Sequence, residues 1–457
     1  MRHLRQRRHK MFPYIPITDQ EKKHMLDTIG VSSTDDLFAD IPESLRLNRE
    51  LNFDNAMSEY SVKRHVGGLG KKNESTEDLV SFLGAGTYDH YIPSIIGHIT
   101  SRSEYYTAYT PYQPEISQGT LQCIFEYQTM VCELTGLEAS NASMYDGATA
   151  TAEAAMIATE GKKDNLIFIS ETVCFETIEV VKTYMKYRGV EVKTIPAKDG
   201  VTDLEALEGM LSKECSGVIV QSPNVFGIVE DLTKVSELAK ANKALSIAKV
   251  DPLSLALLKS PGECGVNIAV GDAQGFGNPQ NFGGPHIGFM AVTKKLQRKL
   301  PGRIAGESVD TEGKKAYVLT LQAREQHIRR EKASSNICSN QALNALAVTI
   351  YLSTMGLKGL KQVASESHKR SSYLRSRLLE TGMFEEVNAQ PFFKEFVLKT
   401  KVEASEVLGK LKENGILGGL DLGTVNPELK DQILICATEK RTKSEIDAYV
   451  QVVEGMR

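Results

Sequence analysis

The sequence predicts an α/β fold: a large domain on a mostly parallel sheet, an N-terminal arm before it and a small α+β domain after it. Two observations carry this expectation. From about residue 140, short and nearly continuous apolar runs alternate with amphipathic helical segments, the pattern of strands covered by helices on both faces. A long helical stretch at 334–356, "SSNICSNQALNALAVTIYLSTMG", then leads into a second, shorter set of strands and helices. The expected boundaries are 1–80 for the arm, 81–335 for the large domain, and 336–457 for the connecting helix and small domain.

In chain order, "MRHLRQRRHK" holds five basic residues and no acid. It reads as a short disordered tail ahead of Met11, itself a candidate start, with a targeting arm as the alternative. In the arm, "TDQEKKHMLDTIG" and "STDDLFADIP" each place Ser or Thr before acids and an apolar repeat, and end on Gly or Pro, as short helices do. "LQCIFEYQTMVCEL" is an apolar or helical stretch that holds two of the cysteines. The alternating cycle follows: strand "NLIFIS", helix "FETIEVVKTYMKYRG", strand "VEVKTIP", helix "TDLEALEGMLSKE", strand "GVIVQSP", helix "DLTKVSELAKANK", then strands "ALSIAKVD", "VNIAVGD" and "HIGFMAV". Past the long helix come "HKRSSYLRSRLLETG", strand "KEFVLKT", helix "ASEVLGKLKENG", strand "QILICAT" and a last helix from "TKSEIDAYVQVVEG".

Composition narrows the function. A charged fraction of 25% and a net charge of -4 provide no field able to hold nucleic acid. No apolar run approaches the roughly 18 residues of a membrane span, and no apolar core follows the basic start as a secretory signal requires. Seven cysteines without a CxxC pair point to reduced thiols in the cytoplasm, not to disulfides or a metal site.

In open α/β sheets ligands bind beyond the carboxyl ends of the strands. "ASMYDGATATAEAAMIA" sets Gly147 before a strong helix pattern, which is either an anion site or a tight turn. Asp251 ends a strand ahead of Pro252; it could face a protonated pyridine nitrogen, or cap the next turn. A pyridoxal enzyme would carry its lysine shortly afterwards, where this chain has Ala273 and Gln274, and an amide cannot form an imine. "SEYYTAYTPYQPEISQG" groups Tyr105, Tyr106, Tyr109 and Tyr112 with two prolines and Glu115, as a binding wall, a subunit interface or a packed loop. "LQAREQHIRREKASSNIC" sets Arg324, His327, Arg329, Arg330 and Lys332 in a run that could hold a phosphate or carboxylate, or form a solvated face.

From about residue 12 to the C-terminus, the chain resembles the P-protein family of glycine cleavage systems, in its branch of first (alpha) subunits of two-chain glycine dehydrogenases (decarboxylating). The carriers are "FLGAGTYDHYIP", "AYTPYQPEISQGTLQCIFEYQTMVCELTGLEASNASMYDGATATAEA", "AVGDAQGFG", "FGGPHIGF" and "LTLQAREQHIRREKASSNIC". This resemblance implies a fold-type I pyridoxal-phosphate transferase architecture in a degenerate copy of its catalytic partner. The lysine and the covalently bound pyridoxal phosphate then belong to the second (beta) subunit, in an α2β2 heterotetramer. Gln274 stands at the matching place, and Asp251 and the Gly147 turn are inherited scaffold. The implied reaction is glycine decarboxylation, with transfer of the aminomethyl group to the oxidised lipoyl arm of H-protein. On motif position, Tyr109, Tyr112 and Gln113 are expected to reach the partner's site with Glu115 fixing their loop, while Gly283 and Gly284 let the backbone approach the partner's cofactor phosphate. Two alternatives remain open: a self-sufficient pyridoxal aminotransferase or decarboxylase using Lys249 or Lys259, and a non-catalytic scaffold or regulatory subunit.

Overall fold

The computed structural model describes residues 16–47, 49, 51–52, 56–161, 165–333, 335–337 and 340–456. The basic opening and Met11 lie outside them, as do Ser334, Cys338 and Ser339 of the expected long helix. Contacts divide the chain after Asn73 into two units. In the first, Thr18 and Glu21 form a reciprocal cap on helix Asp19–Ile29, which ends at left-handed Gly30. Ser33 caps a 3-10 turn at Thr34–Phe38, and a further helix spans Glu59–Gly70. No described side chain of this unit is buried.

The second unit is built on a seven-stranded sheet. Its strands in chain order are β1 (Ala139–Ser140), β2 (Leu166–Ser170), β3 (Glu191–Ile195), β4 (Cys215–Ser222), β5 (Leu245–Val250), β6 (Ile268–Asp272) and β7 (Gly288–Val292). In space they run β1-β7-β6-β5-β4-β2-β3. Neighbours from β6 to β3 pair in parallel, and β7 alone runs against its neighbours. The sheet is therefore mostly parallel, as the alternating pattern predicts.

Period-two alternation divides the core into two layers. Val218, Val220, Ala248, Val250, Ala269 and Phe289 face one side, against helices Gln118–Thr135 and Leu232–Ala241 and the start of Ala342–Glu380. Ile219, Ile247, Val270 and Met290 face the other, against helices Gly147–Thr159 and Phe175–Lys186. Helix Gly147–Thr159 is buried along nearly its whole length, and its alanines at 150, 152, 154, 155 and 158 allow that close fit.

The expected long helix starts later than the pattern suggests, at Ala342, and its regular φ/ψ breaks at Gly356 (φ 57°) before helical residues resume to Glu380. A hairpin of Ile304–Val309 with Lys315–Thr320, not signalled by the sequence pattern, covers the end of helix Gln118–Thr135. Beyond the long helix an antiparallel sheet orders Phe384–Glu386, Glu395–Thr400, Gln432–Cys436 and Leu420–Asp421. Phe82, Leu374, Leu398, Ile435 and Tyr449 form its core. Val80–Ser81 pairs in parallel with Ile416–Leu417 as a separate two-stranded sheet, and Cys436 N–H donates to Phe82 O (2.9 Å), so the segment carrying "FLGAGTYDHYIP" starts beside the small sheet.

The two sheets meet through backbone. Phe393 N–H donates to Gly227 O (3.1 Å) and Val229 N–H to Pro391 O (2.9 Å). A Cβ on Gly227 (φ 81°) would lie 2.0 Å from Glu395 O. Gly227→Ala is therefore expected to destabilise the chain by well over about 1 kcal/mol, combining left-handed strain with a backbone clash. Thermal unfolding of the purified variant measures this; an unchanged midpoint would contradict the close approach.

Candidate functional site

Beyond the carboxyl ends of β4, β5 and β6 lies a small cleft of about 40 Å³ whose lining includes Gln221, Lys249, Asp251, Asp272, Lys394 and Glu395. Asp251 serves two ends. Its Oδ1 accepts from Leu253 N–H (3.0 Å), the turn-capping alternative, while Oδ2 pairs with Lys394 Nζ at 2.8 Å. Lys394 is only 2% exposed and directly precedes a strand of the small sheet. Its ammonium lies 3.4 Å from the centroid of the Tyr88 ring and 2.9 Å from His90 Nε2.

From Lys394 a polar chain continues inward. His90 Nδ1 is 2.6 Å from Glu439 Oε2, which leaves Nε2 to accept from Lys394 and sets the tautomer. Burial, and then the Lys394 charge, push the His90 imidazole pKa down, so the ring is neutral. Burial works against ionisation of Glu439, but hydrogen bonds from His90 and from Tyr91 N–H hold its carboxyl down at about 2. Glu395 accepts from Tyr88 OH (2.7 Å) and Ala85 N–H (2.6 Å), and burial pushes its carboxyl up.

The Gly147 turn and the lysine position are both engaged from within the chain. Asp146 caps helix Gly147–Thr159, and Gly147 N–H donates to Asp272 Oδ1 at 2.7 Å. Asp272 also lies 3.8 Å from His286, and this carboxylate beside it pushes the imidazole pKa up. Gln274, 2% exposed, accepts from Tyr88 N–H (2.9 Å) and donates to Asn278 O (2.7 Å) and Tyr88 O (3.2 Å). Lys249 lines the same cleft as Asp251, as period two requires, whereas Lys259 is exposed elsewhere. Sequence reasoning missed Lys394, His90, Glu395 and Glu439. "KEFVLKT" read only as a strand, and its lysine standing directly before that apolar run was the available signal.

The two polar motifs singled out in the sequence meet through a third residue, Arg303. Its Nη2 donates to Tyr112 OH (2.8 Å), its guanidinium lies 5.1 Å from the Tyr112 ring, and its Nε is 4.0 Å from Glu325. Glu325 in turn stands 3.7 Å from His327, whose ring meets Tyr112 edge to face. Tyr109 is 79% exposed, and Gln113 is exposed beside it. Glu115 is also exposed and holds nothing in the loop among the described residues. Arg303 and Gln118, the latter bonded to Pro114 O and Tyr317 O, do that instead. Of the basic run, Arg324 turns inward to the carbonyls of Leu300 and Gly302, and Arg329 reaches Ala323 O. His327, Arg330 and Lys332 are exposed. Gly283 follows exposed Asn281 and Phe282 in three successive left-handed residues (φ 46°, 51° and 98°), and a Cβ on Gly283 or Gly284 would meet nothing within 4 Å. The backbone of that loop is thus open to approach from outside the chain.

Among the described residues no group of three His, Cys, Asp or Glu side chains could hold a metal ion, and no helix is long and apolar enough to cross a membrane.

The model of the glycine cleavage system P-protein family matches residues 12–453. A curated relative from Moorella thermoacetica, "Probable glycine dehydrogenase (decarboxylating) subunit 1", is 54% identical over 443 residues, covering 97% of this chain and 99% of its own. One of the same description from Listeria monocytogenes serotype 4a is 52% identical over 444 residues, with 97% and 99% covered. Among solved structures, a glycine decarboxylase (P-protein) of the glycine cleavage system in inhibitor-bound form superposes with a TM-score of 0.87 at 40% identity, over 98% of this chain and all of that one. A NifS-like protein (TM-score 0.61, 15% identity, 83% and 99% covered) shares the fold.

Two outcomes follow from this geometry. Gln274→Leu strands the Tyr88 N–H and the Asn278 carbonyl in the interior and is expected to cost about 2–4 kcal/mol in denaturant unfolding. Glu439 has a folded pKa of about 2, below its unfolded 4.5, so its contribution to stability is present above 4.5 and lost as pH falls toward 2. The unfolding midpoint of Glu439→Gln should therefore fall less steeply than that of the parent chain between pH 5 and pH 3.

Proposed function

The chain belongs to the glycine cleavage system P-protein family, and on that premise we propose how it takes part in the reaction. It is a subunit of a glycine dehydrogenase (decarboxylating) that acts as a complex. Its partner is the second subunit, two copies of each forming an α2β2 particle in the cytoplasm, and a lysine of that subunit carries the pyridoxal phosphate. When bound there, pyridoxal phosphate supplies the electron sink for loss of carbon dioxide from glycine. H-protein accepts the remaining aminomethyl group on its lipoyl arm.

The contribution of this chain is to complete and dry the partner's site. Tyr109, Tyr112 and Gln113 extend from a loop pinned by buried Arg303, present rigid faces toward the partner, and exclude water around the reacting carbon. Gly283 and Gly284 bring unencumbered backbone to the partner's cofactor phosphate. The observation carrying this reading is Gln274: at the anchor position stands a buried amide whose polar atoms are already spent on backbone.

Co-expression with a lysine-bearing second subunit is expected to yield a complex that exchanges labelled bicarbonate into glycine, while this chain alone does not. An isolated chain that decarboxylates glycine would sink the reading. Within the complex, Tyr109→Ala, which removes the ring that excludes water, should lower exchange by about tenfold while co-purification of the two chains is unchanged.

A further inference from the structure

A pyridoxal phosphate in this fold needs an acid facing its ring nitrogen, free N–H groups for its phosphate and a lysine. The residues present do not fit one. Asp251 already faces a cation, since Lys394 Nζ sits 2.8 Å from its Oδ2. The Gly147 N–H already faces an anion, since Asp272 Oδ1 accepts it at 2.7 Å, and a Cβ on Gly147 would fall 2.3 Å from Asp272 Oδ2. Gln274 holds the backbone of Tyr88 and Asn278. The space left, about 40 Å³, suits two or three water molecules, whereas cofactor sites take roughly 300 Å³ or more.

We infer that the cleft is closed from within: Lys394 and Asp272 take the electrostatic places of the ring nitrogen and the phosphate, and the Lys394–Asp251 pair fastens the small sheet onto the large one. Lys394 belongs to the small sheet's side and Asp251 to the end of β5, so the pair spans the seam already stitched by the Gly227–Phe393 and Val229–Pro391 backbone bonds. Neutral His90 and the Tyr88 ring close around the ammonium, which is left 2% exposed. Lys249 lines the same cleft, but the ion pair to Asp251 within 4 Å is that of Lys394. A charge pair buried this way makes loss of one partner costly and loss of both mild, because only the former leaves an uncompensated charge in the interior.

The inference rests on the reading above that this chain holds no cofactor. Its test reads the stability of the full chain instead of glycine turnover, so the two can fail separately. Thermal midpoints are measured for the parent, Lys394→Met, Asp251→Asn and the double variant; Asn keeps the Leu253 cap. Each single change should lower the midpoint by about 3–8 °C, and the double variant should recover at least half of the summed loss. Losses that simply add would overturn the latch, and so would a double variant that fails to fold if Lys394→Met alone proves insoluble. Pyridoxal phosphate at millimolar concentration should leave the parent midpoint unmoved. A rise of several degrees would show that the cleft still accepts the cofactor, overturning the closure from within, whatever the glycine exchange assay shows.

Discussion

The second unit of this chain turns on one buried charge, the Lys394 ammonium, and on how it is compensated. An isolated ammonium so deep in the interior would cost several kcal/mol. Here Asp251 supplies the opposite charge, neutral His90 accepts a hydrogen bond, and the Tyr88 ring offers its electron-rich face. The ammonium and its partners come from three stretches of chain: Asp251 from the end of β5, Tyr88 and His90 from the segment that follows Phe82, and Lys394 from the lead-in to strand Glu395–Thr400. Satisfying one cation thus requires the large sheet, the small sheet and the connecting segment to be in register together. The glycines at 84 and 227 permit that approach, since a Cβ at either would strike Glu395.

If the partner alone holds the cofactor, as proposed, then closing the cleft divides the labour of the complex. A chain that spends its strand-end acids and its helix start on its own side chains would then keep no grip for a cofactor and be free to specialise its outer face. Exposed to a partner are Tyr109 and Gln113, with Tyr112 anchored to Arg303 beneath, and, in a separate loop, the open backbone at Gly283 and Gly284. Arg303 gives this arrangement its stiffness, because it bonds to Tyr112 and pairs with Glu325, so the tyrosine loop and the arginine-rich segment share one buried support. A loop held in this way loses less conformational freedom on meeting a partner than a loose one would.

Much of this was legible in the residues themselves. Apolar runs such as "GVIVQSP" and "VNIAVGD" are strands because their buried positions leave no polar face, and the caps at Thr18, Asp146 and Thr442 mark helix starts by chemistry that acts within four residues. The absence of an amine at Gln274 is likewise a property of one residue, readable without coordinates. Hairpin Ile304–Val309 with Lys315–Thr320 escaped notice because its strands mix exposed and half-buried positions, and only their packing on helix Gln118–Thr135 holds them.

Fold class, the order of the main alternating strands and helices, the missing nucleophile and the family resemblance were determined by the sequence alone, because hydrophobic period, capping and side-chain chemistry are local. The partners of Lys394, the occupation of the Gly147 helix start by Asp272 and the meeting of Tyr112 with His327 over Arg303 were decided only by the tertiary structure. These pairings join residues up to about three hundred positions apart, and which charge compensates which is set by how the two sheets come together, a relation that no local spacing encodes.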